Sequence, residues 1–299
     1  MASVERVLVT GGSGRLGQAV VRELIECGYD VVAVDRVRPT HRLPGGARFV
    51  ETDLGDVGQV AGAAAGCDAV IHLGAIPAPR AHPDEIVFRN NTGATFAVFQ
   101  AASLLGITRL AFASSVSAYG SAWAKEPFPP RYVPVDEAHP MLNHDPYGLS
   151  KEVDERTAEM FSRRHGMSIA ALRFHWIATR EEQIASAARR GAAPTWADSV
   201  RTMWGYVDLR DAARASRLAV EACRNRSFGF EAFNIVAADT LIEGDTEAMV
   251  REHAPATVIR AALPGTTGAF DIAKAKRLLG WEPLHSWRDD NGETHASSG

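Results

Sequence analysis

The stretch VTGGSGRLG, residues 9–17, constrains this 299-residue chain more than any other. It joins a short apolar run, residues 4–9, to a segment with helical spacing in which Leu16, Val20, Leu24 and Cys27 share one face. Gly11, Gly14 and Gly17 follow a G-x-x-G-x-x-G spacing, and Gly12, Gly14 and Gly17 also satisfy G-x-G-x-x-G. One glycine permits the tight turn, another lets backbone approach a pyrophosphate, and the last lets helix and strand pack closely. The helix N-terminus then presents unpaired N–H groups and the positive end of its dipole to an anion. Ser13, Arg15 and Leu16 lie in the same turn and join the candidate cofactor site. Asp35 ends the next apolar run, DVVAVD. A carboxylate there accepts hydrogen bonds from the adenosine ribose and repels a 2′-phosphate, so NAD is expected as cofactor. Arg36 keeps NADP possible, because a guanidinium beside the ribose can accept the phosphate.

Strand and helix patterns alternate beyond this turn. Apolar runs at residues 30–35, 47–52, 68–75, 108–115 and 168–174 read as strands, and residues 84–105 and 146–165 as helices. Asp145 is the expected cap of the second of these helices, with Pro146 at its first position. Near-continuous apolar strands separated by helices imply a parallel sheet covered on both faces. The expected fold is therefore α/β, a Rossmann-type doubly wound parallel sheet with a small C-terminal substrate-binding cap. Residues 1–174 and 206–236 are assigned to the dinucleotide-binding domain, and 175–205 and 237–299 to the cap. The pattern loosens over residues 178–205, a polar, Ala- and Arg-rich stretch with Trp196 and Trp204. The segment starting at Trp204 reads as a short strand into a helix, residues 231–236 as a strand, residues 271–279 as a helix, and the polar end as frayed.

Composition narrows the function. A hydrophobic fraction of 46% and a charged fraction of 23% are those of an ordinary globular protein. The net charge of −4 gives no electrostatic footprint for nucleic acid. No apolar run reaches about 18 residues, so no membrane-spanning helix is expected. The start MASVERVLVTGG has no basic segment ahead of an apolar stretch, which argues against a signal peptide. Three cysteines, Cys27, Cys67 and Cys223, are far apart and odd in number, pointing to a reducing cytoplasm. Ten histidines are scattered without H-x-x-x-H spacing, so no metal is expected.

The chemistry is expected at YGLSK, residues 147–151. With five tyrosines and four lysines in the chain, roughly 0.07 such pairs arise by chance. Residues four apart share a helix face, so Tyr147 and Lys151 point the same way. An ammonium beside a phenol favours the phenolate, which makes a base that works near neutral pH. A third group is expected at the C-terminal end of the strand over 108–115, where ligands bind in such sheets. Ser115 is the candidate, with Ser114 and Ser117 as alternatives. Ser117 is also a candidate substrate contact.

The chain resembles the NAD-dependent epimerase/dehydratase family of extended short-chain dehydrogenases/reductases along nearly its whole length. The resemblance rests on TGGSGRLG, Asp35, Asp53-Leu54, HLGA with Leu73, Gly74 and Ala75, Asn91, SSVSAYG, YGLSK, YVDLRDAA and DIAKAKRLLGWEP. It implies cofactor contacts at Asp53, Leu54, Leu73, Gly74, Ala75, Asn91, Tyr147, Lys151 and His175. Asn91 stands at the family's structural asparagine, and Ser115 at its catalytic serine. Ala94 departs from a usual glycine. LRFHWIATREE departs from the LRYFNVYGP typical of nucleotide-sugar enzymes and is nearer the uronate dehydrogenase branch, which acts on free sugars. His175 and Trp176 are then expected to flank nicotinamide and substrate. Arg173, Arg180 and Arg201 are candidate partners of a substrate carboxylate. The expected activity is NAD(P)-dependent oxidation of a hydroxyl, or reduction of a carbonyl, on a sugar or sugar-like substrate. In it Tyr147 takes the proton, Ser115 bonds the same oxygen, and Lys151 tunes Tyr147 and binds ribose. The alternatives are a nucleotide-sugar 4-epimerase or dehydratase with retained NAD, and a non-catalytic NAD(P)-binding sensor. The resemblance also implies a homodimer paired through the helices at 84–105 and 146–165.

Overall fold

The computed structural model describes residues 5–40, 43–80, 82–192, 200–225 and 228–289. Trp196 and the polar tail after Asp289 lie outside the described residues. Seven parallel strands form the central sheet: β1 (Arg6–Thr10), β2 (Asp30–Asp35), β3 (Ala47–Glu51), β4 (Ala69–His72), β5 (Arg109–Ser115), β7 (Ser168–Phe174) and β10 (Phe230–Ile235). Their order is β10-β7-β5-β4-β1-β2-β3. The order reverses between β1 and β4, so a crevice opens there at the C-terminal ends of the strands.

Burial explains the pattern of the strands. Every residue of β4 and β7 is buried, because helices cover both faces. The helices α1 (Arg15–Glu26), α2 (Val57–Ala64), α3 (Asp84–Leu104) and α4 (Pro146–His165) pack against the sheet with α6 (Leu209–Asn225). One core joins α1 and α6 to the strands, and another joins α2, α3 and α4 to the opposite face. Edge strand β3 is only partly buried.

The segment read as loose contains a helix, α5 (Arg180–Ala192). Its apolar period is weak, since the buried positions include polar Gln183 and Ser186. Alanine favours helix, and the acidic first turn and basic last turn, Glu181, Glu182, Arg189 and Arg190, complement the helix dipole. The remaining elements are short: β6 (Tyr132–Val133), β8 (Ile177–Ala178), β9 (Val207–Asp208), α7 (Thr246–His253), β11 (Val258–Ile259) and α8 (Ala273–Leu279). β6 pairs with β11 and β8 with β9, outside the main sheet. A separate apolar cluster of Val133, Val135, Met203, Trp204, Ile242, Leu263 and Phe270 fills the region beyond the strand ends.

Candidate active site

The turn after β1 is held open by its own backbone. Gly11 has φ +67°, and a Cβ there would lie 2.8 Å from the Gly74 backbone nitrogen. Gly14 caps α1 without a side chain, which leaves the first-turn N–H groups facing the crevice. A groove of about 490 Å³ runs from Gly11 and Gly14 past Asp35, Arg36, Asp53, Leu54, Gly74 and Ala75. A larger cavity of about 670 Å³ starts from the same turn, including Leu16 and Gly17, and reaches Ser115, Ser117, Tyr147, Lys151, His175 and Trp176. Leu73 and Ala75 line both. The backbone cradle, uncapped helix end and acidic residue at the end of β2 fit a dinucleotide.

Several expected contacts have other partners. Ser13 lines neither cavity. Its N–H donates to Asp35 Oδ2 at 3.2 Å and its hydroxyl to Val37 O at 2.5 Å, so it braces the carboxylate. Asn91, read as a cofactor contact, is buried and does not line the groove. It accepts from Ile76 N at 2.8 Å and donates to Ile76 O at 3.1 Å and Ser150 Oγ at 3.2 Å, tying α3 to α4. Arg15 lines the larger cavity, but its guanidinium bonds Glu182 of α5 at 2.6 Å and the Ile177 carbonyl.

Local sequence places the Tyr147 and Lys151 pair. Asp145 caps α4, accepting from Gly148 N at 2.8 Å, and Pro146 starts the helix. Gly148 lets the helix start sit close to the turn after β5, because a Cβ there would be 2.6 Å from Ser117 O. Tyr147 is 8% exposed and faces the cavity. Lys151 Nζ lies 5.9 Å from the Tyr147 ring centroid and donates to Ala113 O at 2.8 Å and to Asp154 Oδ2 at 3.3 Å.

The serine alternatives separate by geometry. Ser115 lines the cavity, and its Oγ accepts from Ser117 N at 3.0 Å, which leaves its proton for the cavity. Ser114 instead donates to the buried Glu155 at 2.6 Å. Ser117 lines the cavity one short turn further on.

The basic residues also separate. Arg173 was a candidate for a substrate carboxylate, and the fold gives it another partner. It is 4% exposed, bonds Glu155 with both Nε and Nη2 at 2.9 and 2.7 Å, and reaches Tyr119 Oη at 2.9 Å and Glu137 O at 3.0 Å. A bidentate pair of this kind welds β7 to α4. Arg180 donates to Asp289 O and does not line the cavity. Arg201 does line it, as do Arg80, Arg190, Trp123 and Thr202, which sequence reasoning missed as site residues. With 28 arginines in the chain, no spacing singles these out. Met203 and Trp204, with φ of 48° and 53°, hold the backbone after Thr202 in the left-handed region with both side chains buried.

His175 touches the cavity with its ring but offers it no free nitrogen. Nδ1 accepts from Trp176 N at 2.6 Å, so Nε2 carries the proton and donates to Thr202 O at 2.9 Å. Burial holds this imidazole down at about 4, and neutral. His72 is likewise depressed to about 3, by burial first and then by Lys151. No group of His, Cys, Asp and Glu among the described residues is arranged to hold a metal ion.

A groove that fits a dinucleotide on a doubly wound sheet, opening on a cavity that joins serine, tyrosine and lysine, is the arrangement of an extended short-chain dehydrogenase/reductase. The NAD dependent epimerase/dehydratase family matches residues 7–235, and the chain belongs to it. NAD is the cofactor of this family and of solved relatives. The chain is 28% identical to a UDP-glucose 4-epimerase of Lacticaseibacillus casei, covering 96% of this chain and 95% of that one. It is 31% identical to an L-arabinose 1-dehydrogenase (NAD(P)(+)) of Haloferax volcanii, over 73% of this chain and 83% of that one. The structure of MoeE5 in complex with UDP-glucuronic acid and NAD aligns with a TM-score of 0.69 at 26% identity, covering 95% of both chains. The relatives include epimerases and sugar dehydrogenases, and the chain is an enzyme of this type.

Proposed function

We propose that the chain is a NAD-dependent dehydrogenase that oxidises a hydroxyl of a free sugar or sugar-like acid. The observation that carries this reading is the composition of the larger cavity. Ser115, Tyr147 and Lys151 share it with Trp123, Trp176, Arg80, Arg190 and Arg201. Tyr147 accepts the proton from the substrate hydroxyl, Ser115 donates a hydrogen bond to the same oxygen, and the Lys151 ammonium steadies the charge that forms on Tyr147. NAD, when bound, supplies the hydride acceptor. The glycine turn and the first turn of α1 hold its pyrophosphate, Asp35 its adenosine ribose, Asp53 and Leu54 its adenine end, and Lys151 the second ribose.

The aromatic faces suit the apolar face of a sugar ring, and the guanidiniums suit a carboxylate or phosphate on it. Cavities of about 300–1,000 Å³ hold one ligand of moderate size, and this one must take part of the cofactor as well. That supports a monosaccharide over a nucleotide-sugar. In this reading residues 175–205 and 237–299 form the substrate cap. A second reading, a nucleotide-sugar 4-epimerase with retained NAD, is favoured by the UDP-glucose 4-epimerase that matches 96% of the chain.

The enzyme is further proposed to act in the cytoplasm, in keeping with three free cysteines among the described residues, and no described helix is long and apolar enough to cross a membrane. It is proposed to pair through α3 and α4, where Phe96, Leu104 and Leu149 are exposed. The test is nicotinamide reduction by purified protein with NAD or NADP, offered free aldoses, uronic acids, sugar phosphates and UDP-sugars. Net NADH with a free sugar or sugar acid supports the dehydrogenase. Conversion of a UDP-sugar to its epimer without NADH replaces it with the second reading.

A further inference from the structure

The Lys151 ammonium sits beside a counter-charge that neither cofactor binding nor hydroxyl oxidation calls for. Asp154, one turn along α4, is fully buried, and its Oδ2 lies 3.3 Å from Lys151 Nζ. A buried carboxylate is unfavourable unless paired. The Ala113 carbonyl already holds Nζ in place at 2.8 Å. The groups facing this carboxylate are few. α4 contributes Lys151 and Glu155, and α3 contributes Thr95. Arg173 of β7 engages Glu155. His72 of β4 approaches Thr95 through Nε2 at 3.2 Å and Thr10 through Nδ1 at 2.7 Å, and it is neutral. Burial pushes Asp154 up to about 6, against the lowering pull of Lys151 and Thr95. The pair therefore changes from net positive to neutral as pH rises through that point.

We propose that Asp154 is a positioning residue that anchors the Lys151 ammonium and tempers the field it exerts at the Tyr147 phenol. Opposite charges in close contact cancel much of each other's field at a third group. With Asp154 ionised, Tyr147 meets a screened cation; with it neutral, an unscreened one. Ionised Asp154 therefore weakens the support that the Lys151 ammonium gives to a phenolate at Tyr147. The proposal rests on the reading of Tyr147 as the base, and its test does not depend on knowing the substrate.

The test is a pH titration of tyrosinate absorbance in the protein with NAD in excess, read as the difference between wild type and Tyr147→Phe. The other four tyrosines, Tyr29, Tyr119, Tyr132 and Tyr206, are all pushed up by burial, which keeps them out of the lower part of the curve. In Asp154→Asn the difference curve moves to lower pH by about one unit. Asp154→Glu, which restores the carboxylate, moves it back. Curves that coincide in wild type and Asp154→Asn overturn the proposal while leaving the base assignment standing. If wild type and Tyr147→Phe titrate alike, the base assignment and the proposal fall together. Asp154→Ser, a smaller neutral replacement, serves if Asp154→Asn does not fold. Failure of both to fold assigns the carboxylate to stability alone and overturns the proposal.

Discussion

The two ends of the active-site crevice are built on different terms. At the cofactor end, backbone does the shaping: Gly11 in the left-handed region, Gly14 as an uncapped helix start, and strand ends that fix Asp35. At the substrate end, side chains do it. Arg80, Trp123, Arg190 and Arg201 come from four separate stretches and meet only in the folded cavity. A site shaped by backbone geometry tolerates few residue types, so it leaves a pattern in sequence. A site shaped by convergent side chains leaves none.

The largest expected effect breaks the chemistry and spares the cofactor end. Tyr147→Phe lowers turnover by about a thousandfold, within the span of general acid–base contributions, while NAD affinity measured by fluorescence titration stays near wild type. Next in size, Arg173→Met costs about 3–5 kcal/mol in denaturant unfolding, because Glu155 is left buried and unpaired. Arg201→Ala, at the one of the three arginines named from sequence that lines the cavity, raises KM and costs only about 1 kcal/mol of stability, through the lost 2.8 Å bond to the Ala124 carbonyl. If Arg173→Met folds normally and raises KM as well, the structural role given to it is wrong.

Smaller effects sharpen the cofactor end. Asp35→Ala shifts preference towards NADP by about tenfold, read from the ratio of kcat/KM with the two cofactors, equivalent to about 1.4 kcal/mol. Acid stability follows from the buried imidazoles. His72 and His175 are held below their ordinary 6.5, at about 3 and about 4. Their contribution is present above pH 6.5 and is lost as pH falls through that window. Each group adds a slope of up to about 1.4 kcal/mol per pH unit. Asp154, raised to about 6, works in the opposite direction between there and its ordinary 3.8, and offsets one of the two. Denaturant unfolding at a series of pH values therefore shows a steeper acid loss in Asp154→Asn than in wild type.

The same contrast explains what was legible. The seven strands of the main sheet, α1, α3 and α4 stood out because apolar residues recur with period or in runs, and YGLSK because its spacing puts two functional groups on one face. α5 did not, since Gln183 and Ser186 occupy its buried side. Arg173 misled, because a guanidinium at the end of a strand reads the same whether it faces a ligand or a buried Glu155. The left-handed Met203 and Trp204 carry no glycine signal, as core burial rather than residue type holds them there.

The most direct test of the central claim is the stoichiometry of NADH formed to sugar consumed, followed in wild type and Tyr147→Phe with the best substrate of the panel. The account predicts one NADH for each sugar oxidised by wild type, and neither change in the variant. Sugar converted to an isomer with no NADH released contradicts it and makes the enzyme an epimerase.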